Sequence, residues 1–85
     1  MKVCLSFYEL ISDKEMGDGT TINSSEKLLL IKEQGGFMFF ETINNPDKKV
    51  FWANSKEVRF VNYLEEDWSE QKKIERKKYI DGNFL

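Results

Sequence analysis

The stretch KLLLIKEQGGFMFFETI, residues 27–43, decides the fold. Two apolar segments, 27–34 and 37–43, flank Gly35 and Gly36. Such a pair around two glycines is a hairpin signal, because the tight turn between twisted strands needs positive φ at both central positions. A short helix over 27–34 is the competing reading: Asn23 and Glu26 have capping-box spacing, and Gly35 can end a helix. An isolated helix of that length is marginal in water, which favours the hairpin. In its second arm Phe37 and Phe39 point one way, Met38 and Phe40 the other.

Working outward, Val3, Leu5 and Phe7 alternate with Cys4, Ser6 and Tyr8, which predicts a strand over about 2–11. Residues 12–26 are rich in Gly, Asp, Thr, Asn and Ser and read as a loop. Asn44-Asn45-Pro46-Asp47 predicts a turn, because Pro fixes φ while Asn and Asp bond their own backbone. A strand over 49–53, a tight turn at Asn54-Ser55 and a strand over 56–63 follow.

The last element reads as a helix over about 64–80. Tyr63, Leu64, Trp68, Ile74 and Tyr79 share one arc of the helical wheel. Glu65, Glu66, Asp67 and Glu70 precede Lys72, Lys73, Arg76, Lys77 and Lys78, the order that the helix dipole favours. Gly82 is placed to supply a left-handed cap. The expected fold class is therefore α+β. It comprises one domain over 1–85, with a small antiparallel sheet of four to five strands and one C-terminal amphipathic helix.

Apolar residues stand on both faces of several strands. Val50 and Trp52 oppose Phe51, and Val58 and Phe60 oppose Val61 and Tyr63. A sheet with one wet face alternates apolar and polar instead. One helix covers one face, so either the sheet curls into a half-open barrel or another chain covers the remaining patch.

The counts exclude several chemistries. Among 85 residues there is no histidine, which removes the commonest general base near neutral pH and the commonest zinc ligand. The single cysteine, Cys4, cannot form an internal disulfide, and its apolar surroundings predict a buried thiol. Gly17-Asp18-Gly19 lacks the third glycine of a dinucleotide fingerprint, and Lys14 and Met16 stand where a calcium loop needs oxygen ligands. No serine has a histidine to activate it. These readings predict no catalytic residue, no metal ligand, no cofactor and no enzymatic activity.

Thirteen basic against fifteen acidic residues give a net charge of −2, but unevenly. Residues 1–46 hold four bases and seven acids; residues 47–85 hold nine and eight. An anionic partner would therefore meet the second half. No apolar run approaches the roughly 20 residues of a membrane span, so no membrane partner is expected. One unpaired cysteine points to the cytoplasm. Lysine outnumbers arginine 11 to 2, and Asn and Phe are frequent, a bias of AT-rich coding as in many bacteriophages.

What remains is binding. The leading expectation is a small interaction protein, a phage-encoded inhibitor or modulator of a host protein such as a nuclease or toxin, acting in the host cytoplasm. The candidate contact residues are Phe37, Phe39, Phe51, Trp52, Lys48, Lys49, Lys56, Arg59, Lys72, Lys73, Arg76, Lys77 and Lys78. The same interleaving of bases and aromatics carries the alternative, an RNA- or single-stranded-DNA-binding protein, since rings stack bases while Lys and Arg meet phosphates. A structural homo-oligomer is the third reading.

Overall fold

In a computed structural model the described residues are 1–44 and 50–83. Seven strands and one helix succeed one another: β1 (Lys2–Leu10), β2 (Lys14–Glu15), β3 (Thr21–Ile22), β4 (Leu28–Gln34), β5 (Phe37–Thr42), β6 (Val50–Asn54), β7 (Val58–Asp67) and α1 (Glu70–Asn83). Five strands form one antiparallel sheet in the order β6-β5-β4-β1-β7, and β2-β3 is a separate hairpin. The class is the expected α+β. Gly35 and Gly36 take φ of 59° and 83°, so the β4–β5 turn is of the primed kind that only glycine enters without strain.

The strand order bends the sheet. β6 and β7 are chain neighbours, yet they occupy its opposite edges. They are joined by Ser55–Glu57 alone, with the Glu57 N–H donating to the Asn54 carbonyl at 3.0 Å. Edges tied by so short a link must curl toward each other. No ladder joins them among the described residues, so the barrel stays half open.

A second irregularity lies inside the sheet. β1 and β4 pair at Phe7↔Leu29 and Tyr8↔Leu28. Beyond that point Val3, Cys4 and Leu5 face Leu30, Ile31 and Lys32 across a cleft over which α1 passes.

The core lies on the concave face, built from Leu10, Leu28, Met38, Phe40, Phe51, Ala53 and Val58. Phe40 is fully buried, with the Tyr8 ring edge-on at 5.3 Å. Ile22, fully buried, comes from β3, so the β2–β3 hairpin closes this core from one side. Residues 12–26, read as a loop, thus contain a structural lid. Two-residue strands carry no periodicity to detect.

Several expectations change. The helix begins at Glu70 rather than 64, because Leu64–Asp67 continue β7 against Val3, Lys2 and their neighbours on β1. Trp68 therefore precedes the helix instead of lying within it, and its N–H donates to the Met1 carbonyl at 2.8 Å. The helix runs through Gly82, and that residue has no positive φ. Cys4 is exposed, not buried, because it faces outward where β1 pairs only with β7.

Tyr63 joins the face of Phe60 rather than opposing it. β7 bulges at Val61, so Tyr63 stands opposite Ser6 and Phe60 opposite Tyr8, residues two apart on one face of β1. Of the turn expected at Asn44-Asn45-Pro46-Asp47, all but Asn44 lies outside the described residues. No described helix is long and apolar enough to cross a membrane.

Candidate functional site

The convex face of β5 and β6 carries Phe37, Phe39 and Trp52, with Phe39 directly opposite Trp52 in the ladder. The pleat that buries Met38, Phe40, Phe51 and Ala53 necessarily turns these three the other way. Phe37 and Trp52 meet edge to face, with centroids 4.9 Å apart and planes at 78°, and remain 45% and 51% exposed. Together they form an exposed apolar patch on the sheet surface.

The patch has a polar frame. Lys14 of β2 places its ammonium 4.9 Å from the Trp52 ring centroid and 2.9 Å from the Glu57 carboxylate. Glu57 sits in the β6–β7 turn and also accepts from the Asn54 N–H at 3.2 Å. The hydrogen bond from Lys14 holds the Glu57 carboxyl below its ordinary value, partly offset by burial. Lys32 lies 5.2 Å over the Phe39 ring. Hairpin, sheet and turn thus converge on one aromatic pair with a fixed cation beside it.

A second exposed surface is β7 itself. Phe60, Val61, Tyr63 and Leu64 are all about half exposed or more. Phe60 touches the Tyr8 ring edge-on at 5.5 Å. Arg59 pairs with Glu9 across the β1–β7 ladder.

α1 crosses the sheet on the face away from the core. Its Arg76 forms an ion pair with Glu41 of β5, whose side chain is almost completely buried. A cavity of about 650 Å³ opens on one side of this pair, floored by Leu5, Phe7 and Leu29 and bordered by Trp68. Another of about 440 Å³ opens on the other side, toward the β1–β4 cleft. Glu41 Oε1 and Trp68 Nε1 are buried without a hydrogen-bond partner.

Of the contact residues expected from sequence, the fold brings Phe37, Phe39 and Trp52 together on one face. Phe51 is not available: it is 3% exposed and packs at 6.0 Å from Phe40 in the core. Lys48 and Lys49 lie outside the described residues. Lys56 is exposed in the β6–β7 turn.

The basic helix face is partly consumed by its own fold. Arg76 binds Glu41, Lys72 covers the Trp68 ring at 4.8 Å, and Lys73 reaches Met1 Sδ at 2.7 Å. Lys77 and Lys78 are exposed, Lys77 at the border of the smaller cavity. Sequence reasoning assigned no binding role to Lys14, Glu57 or Glu41. A lone Lys in a two-residue strand gives no signal, whereas a Glu in an otherwise apolar strand is a signal that could have found Glu41.

The chain matches no family model, and no curated protein or solved structure is significantly similar to it.

Proposed function

We propose that the protein is a non-enzymatic binding module that engages a partner protein through the Phe37–Trp52 surface. The observation that carries this reading is the half-exposed edge-to-face pair, held in place beside the Lys14–Glu57 ion pair. Aromatic anchors on rigid strands lose little side-chain entropy when covered, and interfaces concentrate their energy in such residues. A strand scaffold fixes the rings more firmly than a loop would. A flanking cation and carboxylate supply the polar rim that gives an apolar patch its orientation. The partner is expected to offer an apolar or aromatic surface that packs over the two rings. Inhibition or modulation of that partner, by covering its surface, is the activity that such a module can perform without chemistry of its own.

The test is affinity capture from nuclease-treated lysate of the source cell, using wild type and Phe37→Ser/Trp52→Ser as parallel baits. Both residues lie outside the core, so the variant should melt close to wild type. A protein retained by the first bait and lost from the second supports the reading. Identical captures from both baits, or a capture that vanishes once nucleic acid is digested, overturn it.

A further inference from the structure

We propose that the outer edge of β7 is a docking site for an extended strand of a partner protein, apolar along its middle and basic at its N-terminal end. The proposal concerns a surface separate from the Phe37–Trp52 patch and does not depend on it. β7 is ten residues long, and one of its edges is satisfied by β1. Among the described residues the other edge faces no strand, since β7 ends the sheet order. β6 cannot fill the vacancy: its five residues, tied to β7 by the Ser55–Glu57 turn, reach no further along it than about Asn62. Among the described residues, no strand lies beside Tyr63–Asp67 on that edge.

Natural edges are usually short, polar or covered, because an open ladder recruits strands. This one is long, and its middle presents Phe60, Val61, Tyr63 and Leu64 on both faces, each at least 49% exposed. An added strand would bring main-chain hydrogen bonds to the edge and cover apolar groups above and below it, the mode by which peptides augment sheets.

Charge identifies the occupant. Glu65 and Glu66 close the strand and, among the described residues, form no ion pair, Glu65 being exposed and Glu66 bordering the cavity beneath α1, whereas Asp67 is bound by the Met1 amine at 2.7 Å. Two unpaired carboxylates beside an apolar stretch complement a strand that carries Lys or Arg at one end. Every ladder of this sheet is antiparallel, which places those bases at the incoming strand's N-terminus. A second copy fits less well: its β7 brings one base, Arg59, already held by Glu9.

The experiment follows the backbone amides of the full chain by NMR while it is titrated with the capped peptide Lys-Lys-Thr-Val-Ile-Val-Ser-Val. A control peptide opens Glu-Glu instead of Lys-Lys. The expected result is shifted and exchange-protected amides over Tyr63–Asp67, with the acidic peptide about tenfold weaker or worse. Glu65→Lys/Glu66→Lys should reverse that preference. Tyr63→Lys, at a side chain with nothing packed over it, should weaken the basic peptide. No protection along β7, equal binding of both peptides, shifts confined to Phe37 and Trp52, or a dimer joined through β7 would each overturn the proposal. The capture test above reads Phe37 and Trp52 instead, so failure of one proposal leaves the other standing.

Discussion

Replacing Arg76 by leucine takes away the guanidinium that faces Glu41, a carboxylate whose residue is 3% exposed. Removing one member of a buried ion pair costs about 3–5 kcal/mol, because the other charge is left in a medium that solvates it poorly. The Arg76 side chain keeps 22% exposure, so water can reach part of the site and the loss falls at or below the bottom of that range, about 2–3 kcal/mol. A chain of this length has about 4–13 kcal/mol of total stability. The melting temperature should fall by about 10–20 °C, since each kcal/mol shifts a domain of this size by about 4–8 °C.

The double variant Glu41→Leu/Arg76→Leu separates lost charge from lost packing. Leu5, Phe7 and Leu29 already floor the adjoining cavity, so two leucines enter an apolar setting. Exchanging a whole buried pair for apolar residues is often neutral or favourable. The double variant should therefore recover most of the loss. Thermal and urea unfolding, both followed by tryptophan fluorescence, measure all three proteins, with Trp68 as a reporter beside α1. A single variant that melts within about 2 °C of wild type, or a double variant as unstable as the single, would refute the reasoning.

Phe51→Ala should cost about 3–5 kcal/mol, as a core aromatic does, whereas Trp52→Ala, its neighbour on the open face, should cost less than about 1.5; urea midpoints of the two variants decide. Glu57 contributes through a carboxyl held below its ordinary value of 4.5, so that stabilisation is present above this value and fades as pH falls through the folded-state value. Lys14→Met should accordingly lower the melting temperature at about pH 7 and lower it less at about pH 3, and a difference that stays constant with pH would count against the pair. Gly36→Ala places a Cβ at φ of 83° and should cost about 1–2 kcal/mol with no change in contacts, because nothing lies within 4 Å of the new atom.

The hairpin of β4 and β5 was legible because two signals agreed: the glycine pair fixed the turn, and the Phe-Met-Phe-Phe alternation fixed which residues face the core. The boundary between β7 and α1 was not. Leu64–Asp67 satisfies the rules for a helix start, with acids in a first turn. What overrides them is β1. Its nine residues from Lys2 to Leu10 all take partners on β7, and one bulge at Val61 makes the complement ten residues long, ending at Asp67. A long-range ladder thus sets the end of the strand, and no local window contains that information. The same bulge reverses the face of Tyr63, which defeats any reading by simple alternation.

The candidate site was legible in its rings and not in its charges. Phe37, Phe39 and Trp52 share a face because alternation places them there once the register is known. The basic residues obeyed no such rule. Arg76 belonged to a run of five bases that suggested an anionic partner, yet its partner is internal. Glu41 interrupts an apolar strand on the side that α1 crosses, and only a long cation from that helix reaches it. A buried acid in a strand thus predicts an inward base somewhere in the chain, without saying which. Conversely, Lys14 enters the sequence reading only as a residue that breaks a calcium loop, and the turn that carries Glu57 brings the two together at 2.9 Å beside Trp52. Charges assigned to a partner from sequence alone must first be subtracted for those that the fold itself consumes. In this chain the fold itself engages Arg76, Lys72 and Lys73, and of the expected contact residues it leaves Phe37, Phe39 and Trp52 together on the convex sheet face.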